Sequence, residues 1–296
     1  MKLNDEFKRK VILLAGEAGK EWLEELPEII TTYGRKWSIF VDDPFDLSYN
    51  YVAPAVTSTG MGVVLKLAYP GNKEFAAEIE ALKFFDGKGA VRVLEAEVAN
   101  GAALLERAEP GEQLSSIDDD ARMVAIVTGV IKKLHKPIKA DGRFPTLLDW
   151  AKIFDRPKPE PVSKSWFDKA EGIMTEFLQD KKEPVLLHGD LHNDNVLQSQ
   201  RGWLAIDPKG IVGEQTAELA AFLRNPYYDL PKGSNYKKIE AERINLFAEE
   251  LGYERERILG WAFVGAVLSM LWFLEDEGEL SDLYLSNVTL LDEMLL

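Results

Sequence analysis

The chain has 296 residues, of which 46% are hydrophobic and 29% are charged, and it contains no cysteine. This composition excludes a disordered chain and suggests one large domain or two lobes, and the missing cysteines exclude disulfides, cysteine-ligated zinc and a thiol nucleophile. A formal net charge of −15 argues against a nucleic-acid partner, because phosphate backbones are bound by clustered Lys and Arg.

One strongly apolar segment without a charge covers residues 258–274. It is shorter than the roughly 20 residues of a membrane span and contains two glycines and a serine, so we expect a buried core helix and no membrane partner. Residues 4–10 are rich in charge, and no secretory signal of the usual form follows them. We therefore expect a cytoplasmic protein, and the sequence leaves its oligomeric state open.

The N-terminal part shows helical spacing followed by strands. Apolar residues three and four apart predict a helix over residues 5–32 that breaks near Pro27. The period then changes to two, which predicts an antiparallel meander, a helix and two further strands. The predicted strands are residues 37–41, 49–56, 63–67, 91–96 and 102–107, and the helix, inserted after the third strand, is residues 73–85.

Beyond residues 110–111 the pattern is mainly helical, so the predicted class is α+β with two lobes, residues 1–107 and 108–296. One stretch interrupts the helices: residues 184–208 read as a short strand, a polar loop and a hairpin. The predicted helices are residues 115–136, 146–154, 163–180, 214–224, 236–251, 255–275 and 281–294.

The polar loop carries the motif that indicates chemistry, residues 188–195 (HGDLHNDN), with Ile-Asp-Pro at residues 206–208. Phosphoryl transfer needs a carboxylate that orients the acceptor and hard oxygen ligands for magnesium. Asp190 and Asn195 reproduce the D-x-x-x-x-N spacing of kinase catalytic loops, and Asp207 follows the next strand, where kinases place a metal-binding aspartate. Any one of these residues is common in loops, but the ordered set is not.

These motifs resemble those of the aminoglycoside phosphotransferase branch of the protein-kinase-like fold. The resemblance implies a small antiparallel sheet lobe with an inserted helix, which binds nucleotide, and a larger helical lobe with the catalytic loop and the acceptor pocket. Asp190 would orient the acceptor hydroxyl and take its proton late, because an ordinary carboxylate is too weak a base to ionise an alcohol. Asn195 and Asp207 would hold Mg²⁺, and His188 and His192 would support the loop.

In the N-terminal lobe, Lys66 lies in the segment VVLKL, which is similar to the V-A-I-K strand of kinases. The resemblance implies Glu78 as the ion-pair partner, because the glutamate of that family precedes a similar aromatic pair by about two turns, and Glu80 is the alternative. No glycine-rich G-x-G-x-x-G covers the phosphates, and residues 46–49 occupy that turn. The segment of Leu105, Glu106 and Arg107 resembles the hinge whose backbone binds the base of ATP or GTP.

A narrower resemblance points to the streptomycin 6-kinase and hydroxyurea-resistance kinase group. Only a short segment separates Asp207 from the next predicted helix, so a peptide platform is missing and the acceptor should be small. Glu214 and Glu218 depart from the group, which has aspartate at both places. The matching segments are residues 104–107, 110–111, 188–192, 206–210, 218–220 and 268–276.

The resemblance implies transfer of phosphate to a hydroxyl of an aminoglycoside-like antibiotic such as streptomycin, or to hydroxyurea. Two alternatives remain: a metabolic kinase acting on a sugar, amino alcohol or amino acid, and a nucleotide-binding pseudokinase. The pseudokinase should lack a catalytic residue, and this chain has them all. We expect an acidic pocket that favours a cationic acceptor. Its candidate residues are Asp194, Glu214, Glu218, Trp272, Glu275 and Asp276.

Overall fold

The computed structural model describes residues 3–157, 162–180, 182–224, 235–278 and 280–296, without the side chains of residues 235, 276 and 277. The chain divides into two compact units. The first unit contains Met1–Gly111 and Gln198–Leu204, and the second contains Glu112–Leu197 and Ala205–Leu296. The functional assignment of residues 1–107 and 108–296 stays a prediction.

The first unit contains an antiparallel sheet with one inserted helix, as expected. Its elements are α1 (Asp5–Lys36), β1 (Ile39–Val41), β2 (Tyr51–Thr57), β3 (Gly62–Leu67), α2 (Glu74–Phe85), β4 (Val93–Glu97) and β5 (Ala102–Glu106). The strands lie in the order β1-β2-β3-β5-β4, and each neighbouring pair is antiparallel. Helix α2 follows the third strand in the chain.

Helix α1 differs from the prediction because its interruption lies at Gly16 and not near Pro27. Gly16 has φ 60° and ψ −136°, a conformation open to glycine, while the helix continues through Pro27 to Lys36. In a straight helix Phe7 and Trp22 would lie about 22 Å apart, yet their ring centroids are 6.3 Å apart. The first turns therefore fold back onto the rest of α1.

The two faces of the sheet have different roles because side chains alternate along a strand. Val63, Leu65 and Leu67 of β3 are buried in one apolar core with Phe7 and Leu26 of α1. The intervening positions of β3 point to the opposite face, and Lys66 is one of them. Helix α1 thus stabilises one side of the sheet and leaves the other for the candidate nucleotide site.

The rest of the chain is mainly helical in its described part. After β6 (Pro110–Gln113) come α3 (Asp120–Leu134), α4 (Leu147–Ala151), α5 (Lys164–Gln179), β7 (Val185–Leu187), β8 (Val196–Ser199), β9 (Gly202–Ala205), β10 (Ile211–Gly213), α6 (Leu219–Leu223), α7 (Asn235–Leu251), α8 (Arg255–Glu277) and α9 (Asp282–Met294). Strand β10, which the sequence did not predict, pairs antiparallel with β7. Two predicted helices begin with a separate 3-10 turn, at residues 114–116 and 215–218.

The uncharged segment at residues 258–274 lies within α8. By length and composition, Arg255–Glu275 could cross a membrane, and it is the single such helix in the described ranges. However, 72% of the most apolar part of this helix is buried inside the protein, as is typical of a core helix. The structure therefore agrees with the expected core helix.

A buried ionisable cluster joins α7 to α3. Arg243 donates from Nε to Oδ1 of Asp120 at 2.8 Å, while its contact with Glu240 is longer, at 3.4 Å. Burial raises the pKa of Glu240 to about 8, and the charge of Arg243 offsets only part of this effect. Because Arg243 is shared with Asp120, Glu240 carries a proton in the folded protein at neutral pH.

This cluster predicts a pH-dependent stability. The folded pKa of Glu240 exceeds its ordinary value of 4.5, so its contribution is fully present below about pH 4.5 and is lost as the pH rises toward 8. Glu240→Gln should remove this slope and raise the melting temperature at pH 8.5 by about 2 °C or more relative to the native chain. Thermal unfolding from pH 5 to 9 measures it.

The matched control is Glu242→Gln, because Glu242 is exposed on the same helix. Parallel pH curves for the native chain and Glu240→Gln would contradict a protonated Glu240.

Candidate active site

His188 connects the loop after β7 to the segment that carries Asp207. The amide of Asp190 donates to Nδ1 of His188 at 3.2 Å, so the ring proton lies on Nε2, which donates to the carbonyl of Ile206 at 2.7 Å. The amides of Lys209 and Gly210 donate to the carbonyl of His188. The side chain and the backbone of His188 therefore hold the two segments together, as expected of a supporting residue.

Asn195 is oriented by a hydrogen bond to the loop it follows. Its side-chain nitrogen donates to the carbonyl of Asp190 at 2.9 Å, and its own carbonyl accepts from the amide of Ile206 at 3.0 Å. Because the amide nitrogen is held by Asp190, the amide oxygen points the other way. That oxygen is the atom a magnesium ion would use.

The backbone of the site contains two residues with positive φ. Gly189 has φ 81°, and a Cβ there would lie 2.9 Å from the side chain of Ile211, so only glycine fits. Asp207 is exposed and has φ 57°, which non-glycine residues rarely adopt. Such conformations concentrate at functional sites, and this supports Asp207 as a candidate metal ligand.

Arg224, at the end of α6, is an active-site candidate that the sequence did not reveal. Its guanidinium donates to Oδ1 of Asp190 at 2.7 Å, and only 11% of its side chain is exposed. Burial raises the pKa of Asp190, but the charge of Arg224, followed by His192 and Lys209, outweighs it and lowers the pKa below the ordinary value. Asp190 is therefore ionised at neutral pH.

His192 lies beside the same carboxylate. Its Nδ1 accepts from the amide of Asp194 at 3.3 Å, and its Nε2 lies 4.0 Å from Oδ2 of Asp190. Burial lowers the pKa of His192, although the charges of Asp190 and Asp194 act in the opposite direction. The ring therefore orients Asp194 and stays close to Asp190 mainly in its neutral form.

Glu218 supports the catalytic loop from the protein interior and is not placed to contact a phosphate acceptor. Its side chain is fully buried and accepts from the amides of His188 and Gly189 at 2.7 and 2.9 Å. Nε2 of His135 lies 3.1 Å from the same carboxylate. Burial raises the pKa of Glu218, but these hydrogen bonds lower it by more. The expectation that Glu218 binds substrate is corrected, because all its oxygens face the protein interior.

Most of the other residues expected to bind the phosphate acceptor also contact protein side chains. Glu214 is buried and accepts from Nε of Arg257 at 2.8 Å and from the indole of Trp261, so it too is removed from the acceptor candidates. Glu275 is exposed and pairs with Arg156. Trp272 packs edge-to-face on Trp150 at 5.0 Å. Asp194 is partly exposed, and the side chain of Asp276 lies outside the described residues.

In the first unit, the expected ion pair is present. Nζ of Lys66 lies 2.7 Å from Oε1 of Glu78, and both side chains are buried. Glu80, the alternative partner, is exposed and pairs with Lys83. Lys66 is therefore held at a fixed place on the face of the sheet opposite the α1 core.

The expected hinge lies at the end of β5. Leu105 is buried, and the amide of Glu106 donates to the carbonyl of Arg92 at 2.9 Å. Because the amide of Glu106 already donates to Arg92, it is not expected to bind the base. We expect the backbone amide of a neighbouring residue to do so, and Arg107 is the next residue along the chain. Nucleotide contacts by the backbone of Leu105 and Arg107 stay predictions.

Two supporting residues, Arg224 and His135, were missed by the sequence analysis. Arg224 follows the motif Glu218-Leu219-Ala220 by one helical turn, and His135 ends α3, far from the catalytic loop in the chain. A cation one turn beyond that motif is a weak signal for Arg224. Nothing in the sequence pairs His135 with Glu218, because 83 residues separate them.

Loss of Arg224 should change the pH dependence of catalysis. Arg224→Ala removes the largest charge that lowers the pKa of Asp190 while burial remains, so this pKa should rise and the acid limb of the kcat/KM profile should move to higher pH. At neutral pH, kcat/KM should fall about tenfold, the effect of one lost charge-assisted hydrogen bond. Arg143→Ala, which removes an exposed ion pair with Asp141, is the control. An unshifted acid limb would show that Arg224 does not act through Asp190.

Glu218→Gln should destabilise the fold. The glutamine amide would place a donor against backbone amides that already donate there, leaving at least one buried group unsatisfied. The expected loss is about 2 kcal/mol, measured by chemical denaturation. Exposed Glu176 on α5 supplies the control Glu176→Gln. Equal stability of the two variants would argue against the anchoring role.

Comparisons with known proteins show the family of this chain. Residues 43–277 match the family described as aminoglycoside/hydroxyurea antibiotic resistance kinase. The chain is 33% identical over 275 residues to a hydroxyurea phosphotransferase of Kitasatospora aureofaciens, covering 88% of this chain and 77% of the relative. It is 28% identical over 269 residues to a streptomycin 6-kinase of Streptomyces glaucescens, covering 88% and 87%.

Among solved structures, a thermostable mutant of the aminoglycoside phosphotransferase APH(4)-Ia, in a ternary complex with ADP and hygromycin B, has a TM-score of 0.63. The alignment covers 90% of this chain and 98% of that one at 15% identity, which shows a shared fold. The expected α+β, protein-kinase-like fold is confirmed. The family match extends over most of the chain and includes Lys66, the catalytic loop and Asp207. The chain belongs to the aminoglycoside/hydroxyurea antibiotic resistance kinase family.

Proposed function

We propose that this kinase transfers the γ-phosphoryl group of a magnesium-bound nucleoside triphosphate to a hydroxyl of a small antibiotic-like acceptor. The observation that carries the proposal is the hydrogen-bonded catalytic loop. Asp190 is held ionised by Arg224, and its carbonyl orients Asn195. His188 fixes this loop against the segment that leads into Asp207. We further propose a cytoplasmic location.

The donor side of the proposal rests on the first unit. Lys66 is buried against Glu78, so its charge is pre-positioned before any nucleotide arrives. A positive charge fixed in a poorly solvated place acts strongly on phosphate oxygens. We propose ATP or GTP as donor, with the backbone around Leu105 and Arg107 contacting the base.

The candidate metal ligands fit magnesium. Asn195 offers its amide oxygen and Asp207 its carboxylate, both hard oxygen donors. Within the described ranges there is no group of three or more His, Cys, Asp or Glu able to hold a metal. This agrees with an ion held by few protein ligands, whose shell is completed by phosphates and water. When bound, such an ion would neutralise charge on the phosphates.

Asp190 would act on the acceptor. Its ionised carboxylate accepts a hydrogen bond from the attacking hydroxyl and directs that oxygen toward the phosphorus. Because its pKa lies below the ordinary value, Asp190 cannot remove the proton early and receives it only as the new bond forms. Arg224 keeps the carboxylate in the required rotamer and charge state.

For the acceptor, we propose a small molecule of low charge and take hydroxyurea as the first test compound. Glu214, Glu218 and Glu275 were expected to attract a cation, but Glu214 and Glu275 each pair with an arginine. Glu218 is buried and accepts hydrogen bonds from two backbone amides. Streptomycin remains the second candidate, supported by the partly exposed carboxylate of Asp194. The two relatives described above carry these two substrates in their names.

An acceptor assay tests the proposal. Purified chain is incubated with ATP or GTP, Mg²⁺ and either hydroxyurea or streptomycin, and nucleotide consumption is compared with the mass of the product. A cationic acceptor held by charge should show a KM that rises with ionic strength, whereas a neutral one should not. A mass increase on neither compound would contradict the proposed acceptors.

Asp190→Asn should lower turnover by roughly 10²-fold or more, because the variant loses the orienting charge and the proton acceptor. Nucleotide affinity should stay near that of the native chain, since Asp190 faces the acceptor. Turnover and nucleotide binding by calorimetry measure the two effects. Asp292→Asn, far along the chain on α9, is the control for a general loss of carboxylate charge. Near-normal turnover of Asp190→Asn would remove Asp190 from the mechanism.

A further inference from the structure

Arg201 lies in the turn between β8 and β9, in a segment that belongs to the first unit. The turn has a defined geometry. The hydroxyl of Ser199 donates to the carbonyl of Gly202 at 2.7 Å and accepts from the amide of Arg201 at 3.1 Å. A turn braced on both sides presents the Arg201 side chain in one direction.

The guanidinium of Arg201 makes four hydrogen bonds. Nε and one terminal nitrogen donate to the two carboxylate oxygens of Glu106 at 2.8 and 2.6 Å. The terminal nitrogens also donate to the carbonyls of Gly87 at 2.8 Å and Ala90 at 3.4 Å. The side chains of Arg201 and Glu106 are 30% and 20% exposed. This is a partly buried bidentate pair, unlike an isolated surface salt bridge, which contributes little.

The electrostatics of Glu106 agree with a fixed pair. Burial raises the pKa of Glu106, but hydrogen bonds from Arg201 and from the amide of Arg92 outweigh it and lower the pKa. The amide of Arg92 donates to Glu106 at 3.0 Å, and the amide of Glu106 donates back to the carbonyl of Arg92. Glu106 is therefore held through both its backbone and its side chain.

The two segments that Arg201 anchors adjoin residues expected to bind the nucleotide. Glu106 lies between Leu105 and Arg107, whose backbone is expected to contact the base. Gly87 and Ala90 lie between α2 and β4, and α2 carries Glu78, which holds Lys66. One guanidinium thus joins the strand expected to read the base to the end of the helix that positions the phosphate-binding lysine.

We propose that Arg201 is a positioning residue for the nucleotide, acting through Glu106 and the loop after α2. The proposal rests on the proposed function, because it takes residues 105–107 as the base-binding segment. Arg201 itself contacts no substrate. It fixes the backbone against which the base binds, so its loss should weaken nucleotide binding and leave the acceptor step largely unchanged.

The test compares Arg201→Ala and Arg201→Lys with the native chain. In Arg201→Ala, the Kd and the KM for ATP should rise about tenfold, while kcat at saturating ATP and the KM for the acceptor should change less than twofold. Arg201→Lys should fall between, because an ammonium cannot pair bidentately with Glu106. Lys83→Ala, which breaks an exposed ion pair with Glu80 on α2, should leave all constants unchanged.

A double-variant comparison separates positioning from general stabilisation. Because the pair with Glu106 carries part of the effect, Arg201→Ala should weaken ATP binding less in the Glu106→Ala background than in the native chain. Unchanged ATP affinity in Arg201→Ala, tighter binding, additive losses in the double variant, or equal loss in every constant would each overturn the proposal. If Arg201→Ala does not fold, Arg201→Lys decides by the same criteria. A native chain that binds no ATP or GTP would refute the proposed function as well, and this result is distinct from the others.

Discussion

The buried carboxylate of Glu218 is the constraint on which the candidate active site depends. A carboxylate taken out of water is costly unless its oxygens are satisfied. Here two backbone amides of the catalytic loop and His135 supply the hydrogen bonds. Those amides belong to His188 and Gly189, the residues immediately before Asp190. The hydrogen bonds to Glu218 therefore also fix the position of the Asp190 backbone. Stability of the second unit and placement of the proposed catalytic group are therefore coupled.

The chain carries many carboxylates, and within the second unit several of them pair with buried arginines. Arg224 pairs with Asp190, Arg257 with Glu214, and Arg243 with Asp120, each with the basic side chain mostly buried. Buried charges need such partners because their desolvation is otherwise uncompensated. A net charge of −15 consequently says little about the charge inside a pocket, which is why a cationic acceptor no longer follows from composition.

The first unit positions charge by a different device, a sheet with two unlike faces. Helix α1 folds back at Gly16 and covers one face with apolar side chains. The other face presents Lys66, which Glu78 of α2 holds by a buried ion pair. Arg201 then ties the end of α2 to the end of β5. The unit therefore holds Lys66 and the end of β5, the two proposed nucleotide-binding elements, in a fixed relation, and such preorganisation would lower the cost of binding.

The sequence alone determined the succession of strands and helix in the sheet lobe, the helical remainder and the family, because periodicity and ordered motifs are local properties. It also indicated the Lys66–Glu78 pair, through the resemblance of both segments to those of the family. Tertiary structure decided the break at Gly16, the pairing of β10, and the partners of Asp190 and Glu218. The partners of Asp190 and Glu218 are Arg224 and His135, which lie far from the catalytic loop in the chain. Only folding brings a buried carboxylate and its hydrogen-bond donors together, so the local sequence pattern does not predict that contact.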